Sequence, residues 1–142
     1  CSSIGEIFDQ EDDNYDIPVM RIDSAMAEKA VESADKIGVA ATLETTLKPS
    51  IELLNKKAEA SNKELEIKTA LADSAYQELM AGNEKEHDRL LAEKLEELAE
   101  KVEVVVLAQA SMARAVSALP AEKQDKFLTS PELGIEKLFN NL

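Results

Sequence analysis

Cysteine is nearly absent, with one residue in 142, at position 1. That excludes an internal disulfide framework and a cysteine-rich zinc site, and it fits a reducing cytoplasm. Tryptophan is missing, aromatics make up 4% of the chain, and there are four glycines. No glycine-rich phosphate loop, Walker lysine or nucleophile elbow is present. No apolar run approaches the roughly 20 residues of a membrane helix, so no membrane partner is expected. Bases are scarce, 16 against 29 acids, giving a formal net charge of −13. Nucleic acid and anionic lipid both call for a basic face, so neither is an expected partner. The start lacks a basic stretch followed by an apolar core, so no secretory signal is expected and the expected location is cytoplasmic.

What remains can build a core. Hydrophobic residues are 44% and charged residues 32% of a 15.5 kDa chain, a composition that fits one domain, or one and a fraction. Four β-branched segments stand out, at 17–22, 37–41, 65–71 and 102–107, with a weaker fifth at 126–128. Those at 37 and 104 are almost wholly apolar, as a strand covered on both faces should be. The segment at 65–71 alternates more and reads as nearer an edge. Helical patterns lie between: 25–35 after Asp23 and Ser24 as caps, one starting near Pro49, and a short one from Asp73 and Ser74 ended by Gly82. Then come 84–101, 111–119 stopped by Pro120, and a last helix from Pro131 to Leu142. Alternating strands and helices predict an α/β fold with a parallel, four-stranded sheet flanked by helices.

The helix over 84–101 carries Leu91, Leu95, Leu98 and Val102 at spacings of four, three and four. This stripe reads as core, with docking against another chain's helix as the alternative. His87, the one histidine, is surrounded by Lys85, Glu86, Asp88 and Arg89 and reads as part of a solvated face rather than a catalytic group. The acidic stretch at 9–16 reads as a solvated loop. A metal-binding loop is its alternative, although no calcium-loop spacing is present.

Ligands of an open parallel sheet bind at the carboxyl ends of the strands. The residues there are Thr42, Thr45 and Thr46, then Gln109, Ala110, Ser111 and Met112, then Thr129, Ser130, Pro131 and Glu132. Each group is small and hydroxyl-rich and opens a helix. It can bind a small anion such as a carboxylate through free N–H groups and the helix dipole, or serve as an ordinary cap. Cys1 precedes Ser2, Ser3, Ile4 and Gly5; a thiol at a helix start is stabilised as thiolate and can act as nucleophile or base. The alternative is an incidental terminal cysteine.

Several of these motifs share one pattern. The run Ile37-Gly38-Val39-Ala40-Ala41-Thr42-Leu43-Glu44-Thr45-Thr46-Leu47-Lys48-Pro49 resembles the opening of the C-terminal lobe in the aspartate/glutamate/hydantoin racemase family. Val104-Val105-Val106-Leu107-Ala108-Gln109-Ala110-Ser111-Met112-Ala113-Arg114 resembles that lobe's second catalytic strand and loop. Cys1-Ser2-Ser3-Ile4-Gly5 is similar to the first catalytic loop. Met20-Arg21-Ile22-Asp23 with Met26-Ala27, and Thr129-Ser130-Pro131-Glu132-Leu133-Gly134, fit a branch of the same family.

The resemblance implies one lobe of a two-lobed fold, with a cofactor-independent site in the cleft between lobes. Two thiols then flank the α-carbon of a small amino acid or related carboxylate; one removes the proton and the other returns it to the opposite face. On this pattern Cys1 is the expected catalytic thiol, and Ser2, Ser3, Thr42, Thr45, Thr46 and Ser111 are the expected substrate-binding residues. Ala110 stands where the family has its second cysteine, and alanine carries no proton. That leaves a single-thiol decarboxylase or isomerase, or a non-catalytic small-anion-binding module, as alternatives. The resemblance also divides the chain into 1–35, the end of an N-terminal lobe with its crossover helix, and 36–142, a C-terminal lobe. Such a fragment is expected to be inactive by itself and, with apolar surface uncovered, to form homo-oligomers. No cofactor and no metal are expected.

Overall fold

The structure is a computed structural model that describes residues 4, 5, 16 and 20–140. Four strands, β1 Lys36–Ala41, β2 Glu66–Leu71, β3 Val104–Leu107 and β4 Phe127–Leu128, form one sheet in the order β2-β1-β3-β4. All three pairings are parallel. The helices are α1 Ser24–Ser33, α2 Glu44–Ala60, α3 Asp73–Met80, α4 Glu84–Ala99, α5 Ala113–Val116, α6 Ala121–Gln124 and α7 Ser130–Asn140. Among the described residues no helix is long and apolar enough to cross a membrane.

The two-residue period of a strand sorts the core into two halves. Ile37, Val39, Ala41, Val104, Val106 and Leu128 face one side and pack with Met26, Ala30 and Val31 of α1 and Leu53, Leu54 and Ala58 of α2. Ala40, Val105, Leu107 and Phe127 face the other and pack with Leu91, Leu95 and Leu98 of α4. A parallel sheet covered on both faces explains why β1 and β3 are apolar throughout. β2 lies at the edge, as its alternation predicts, and is only partly buried.

The strands predicted from composition are corrected at both ends of the list. Residues 20–22 form no strand: Arg21 bends back to Asp23 and residues 22–23 form a turn; residues 17–19 lie outside the described residues. The weak fifth segment supplies β4 instead. The helix expected near Pro49 begins five residues earlier, at Glu44, with the proline inside it. Asp23 and Ser24, and Asp73 and Ser74, do not act as side-chain caps. The helix expected over 111–119 is a 3-10 turn, Ala110–Met112, followed by the single-turn α5.

Helix ends are closed by other means. The α3 terminus is a Schellman turn: Gly82, at φ 83, donates its N–H to Leu79 O and Asn83 donates to Glu78 O. Asn62, at φ 52, does the same after α2. The C-terminal carbonyls of α1 accept from Lys63 Nζ, at 2.6 Å for Val31 O and 2.9 Å for Ala34 O. Lys126 Nζ closes the end of α4 through Ala99 O and Val102 O. In each case the lysine stands just before a strand and reaches the helix leading into the neighbouring strand.

Glu28 on α1 joins three helices by accepting from Lys57 of α2 and Lys137 of α7. Burial raises the Glu28 pKa, but the two ammonium groups outweigh it and hold the carboxyl below its ordinary value. The α7 contact with the chain entering α1 is close. A Cβ on Gly134 would lie 2.6 Å from the Ile22 carbonyl oxygen. Because that oxygen is backbone, Gly134→Ala forces α7 away and is expected to cost about 1–3 kcal/mol in urea unfolding. A variant as stable as the parent would show that α7 is not held there.

Candidate functional site

The carboxyl edge of the sheet is built by the two central strands. β1 ends at Ala41, and Thr42 follows it, 4% exposed. β3 ends at Leu107, and Gln109 follows in extended conformation before the 3-10 turn. The adjacent register, with Ala108 N–H donating to Ala40 O at 2.9 Å, brings the two loops side by side. Thr42 then donates twice to one atom: its N–H to Gln109 Oε1 at 2.7 Å and its hydroxyl to the same oxygen at 3.0 Å.

At the opposite edge, Glu103 makes the matching tie. Its Oε2 accepts from the N–H groups of Asp35 and Lys36, at 3.1 and 2.8 Å. The strands that carry the site are thus fixed by side chains at both ends.

The expected substrate-binding residues do not all play one part. Thr42 is buried and its hydroxyl hydrogen goes to Gln109. Thr45 is exposed in the first turn of α2. Thr46 is buried, and its hydroxyl donates to Leu43 O at 2.8 Å, closing the start of that helix locally. Ala110 and Ser111 are exposed in the turn after β3. The structure therefore brings the Thr42 and Ser111 loops together on adjacent strands, through Gln109. Cys1, Ser2 and Ser3 lie outside the described residues, as does the acidic stretch at 9–15; Asp16 is exposed. Leu43 precedes α2 with no side-chain cap hydrogen bond, the Thr46 N–H donates to Leu43 O at 3.1 Å, and the start of this 17-residue helix lies at the same edge.

Arg114, three residues past Ser111, is held by Asp88 of α4, with Nε 2.9 Å from Asp88 Oδ2, and lies near Glu84. The Asp88 carboxylate raises the pKa of this guanidinium further above its ordinary value. The turn that bears Ala110 and Ser111 is in this way tied to α4. A separate cleft of about 410 Å³ lies beside β4, lined in part by Lys29, Gln124, Asp125, Thr129 and Glu132. Two carboxylates against one ammonium make it poorly suited to an anion, and none of the β1 or β3 loop residues named above line it.

His87 corrects the sequence reading. It is 4% exposed, with Nδ1 2.8 Å from Ala75 O, so the ring donates to that carbonyl and joins α4 to α3. Charged neighbours in sequence masked a simple signal: His87 lies four residues before Leu91 and continues the buried stripe. The stripe itself is core, with Leu91, Leu95, Leu98 and Val102 at 0–5% exposure, so it offers no face to another chain. The other residue under-read was Gln109, a long amide directly after an all-apolar strand at the ligand-binding end of the sheet.

Among the described residues no group of histidine, cysteine and acidic side chains could hold a metal ion. Comparison with curated proteins finds no match. The family model for Asp/Glu/hydantoin racemase matches residues 1–138. With nearly the whole length matched, and a parallel α/β sheet presenting polar loops at the carboxyl ends of its central strands, the chain belongs to the Asp/Glu/hydantoin racemase family.

Proposed function

We propose that the protein moves a proton at the α-carbon of a small amino acid or related carboxylate, without a cofactor, using the Cys1 thiol. The observation that carries this reading is the family match, which begins at residue 1 and includes the chain's one cysteine. An α-proton is very weakly acidic, so the carbanion-like state needs oriented donors at the carboxylate. A thiol, with an ordinary pKa near about 8.5, is close enough to neutrality to take and return a proton. Thr42, Thr45, Thr46 and Ser111, with Ser2 and Ser3, are the groups we assign to orienting the substrate. The pairing of the Thr42 and Gln109 loops and the start of α2, which has no side-chain cap, support that assignment.

Residues 1–35 are assigned to the end of a first lobe and 36–142 to a second, with the protein acting in the cytoplasm on amino-acid metabolites. α1 is then the crossover, packed on the second lobe's core. Ala110, at the place of the second thiol, favours a second reading: proton transfer on one face only, as in a decarboxylase or isomerase.

The test is α-proton exchange. Full-length protein is supplied with candidate amino acids and malonates in deuterated water and followed by proton NMR. Deuterium incorporation is expected, falling at least about 100-fold in Cys1→Ser. Retention of configuration during exchange would select the one-face reading. Carboxylate binding with no exchange would leave only a small-anion-binding module.

A further inference from the structure

We propose that Gln109 is a substrate-binding residue whose carboxamide N–H groups grip the carboxylate, with Thr42 as the positioning residue that aims them. This rests on the reading above that a small carboxylate binds at this edge.

The orientation of the amide follows from one hydrogen bond. A backbone N–H only donates, and that of Thr42 lies 2.7 Å from the carboxamide atom of Gln109. That atom must be oxygen, so the usual ambiguity between amide oxygen and nitrogen does not arise. The Thr42 hydroxyl converges on the same oxygen at 3.0 Å. Both acceptor positions of Oε1 are filled, and the NH₂ end is turned away from Thr42. Both hydrogen bonds of the Gln109 side chain fall on the oxygen, and among the described residues nothing accepts from Nε2. Gln109 is half-buried at the carboxyl end of β3, beside Ala110 and Ser111.

Two N–H groups fixed in direction and given no acceptor among the described residues suit a carboxylate, which only accepts. Donation into the amide oxygen also polarises the N–H bonds and strengthens what they give. A neutral donor counts for more here because the chain carries a net charge of −13, which disfavours anionic ligands at long range. Thr42, assigned above to orienting the substrate, does so through Gln109, since its hydroxyl hydrogen is already committed.

A purely structural tie between β1 and β3 needs only the oxygen. Gln109→Glu keeps an oxygen facing Thr42 and replaces the NH₂ with a second acceptor bearing negative charge, so it separates the two roles. Full-length wild type and Gln109→Glu are titrated with malonate by calorimetry, and their thermal unfolding is compared. The expected result is a fold of unchanged stability with malonate binding weakened about 10- to 100-fold. In the exchange assay KM rises more than kcat falls. Thr42→Val, which deletes one aiming bond, weakens binding less. Should Gln109→Glu fail to fold, Gln109→Met, which removes donors and acceptor together, is read against Thr42→Val: malonate binding weakened well beyond the Thr42→Val effect at matched thermal stability upholds the proposal, and an equal loss overturns it.

Malonate affinity within twofold of wild type in the folded variant overturns the proposal, and if exchange continues there with unchanged KM, the proton-transfer reading survives it. Wild-type binding without exchange, lost in Gln109→Glu, upholds Gln109 while the proton-transfer reading fails. No malonate binding and no exchange by wild type overturns both.

Discussion

Arg21→Met is expected to destabilise the protein by about 3–5 kcal/mol, and the double variant Arg21→Met, Asp23→Leu to recover most of that loss. Arg21 and Asp23 form a two-pronged ion pair, Nε to Oδ1 and Nη2 to Oδ2, each at 3.0 Å. Their side chains are 5% and 3% exposed. A carboxylate so far from water tolerates burial only with a cation against it, and Arg21 is the cation that the described residues bring to Asp23. Removing the arginine strands the charge, whereas removing both members leaves no buried carboxylate without its cation. Urea denaturation of the two single variants and the double variant forms a complete cycle. A loss under 1 kcal/mol for Arg21→Met would mean that water reaches Asp23. The guanidinium also lies over Gly5, where a Cβ would stand 2.6 Å from Nε. The pair thus also bears on the backbone at Gly5.

Leu95→Ala is expected to cost about 2–5 kcal/mol, because Leu95 is wholly buried and its neighbours cannot collapse into the space. It packs in the half-core that includes Val105, Leu107 and Phe127, so the void opens directly beneath the sheet. Glu93→Ala, two residues away on the exposed face, should stay within about 0.5 kcal/mol of the parent. Chemical unfolding distinguishes the core from a docking face. If Leu95→Ala kept full stability and instead altered subunit number, the stripe would be an interface after all.

These residues show what the sequence could and could not tell. The central strands were legible because a strand covered on two faces has to be apolar at every position, and 37–41 and 104–107 are. The leucine stripe was legible because its spacing repeats the helical turn. β4 was legible only faintly, as the weak segment at 126–128, since two hydrogen-bonded residues leave almost no periodicity to read. Residues 20–22 misled because β-branched composition says nothing about Arg21 finding a carboxylate two residues on. Pro49 misled because a proline is most favourable in a first turn, yet here the turn after β1 sets the helix start. In the site, hydroxyls drew attention as generic anion ligands. The decisive contact, Thr42 to Gln109, joins positions 67 apart, and only the pairing of β1 with β3 reveals it.

The strand order has a consequence during synthesis. Ile37 of β1 meets β2 at Ile67, but its partner on the other side is Val104. At ribosomal speeds of about 5–20 residues per second, roughly 2–7 s separate the emergence of these two neighbours. Through that interval the nascent chain holds an oily ribbon with one bare margin, open to pairing with other unfinished polypeptides. Translation pauses between codons 72 and 104 would prolong that exposure and raise the demand on chaperones.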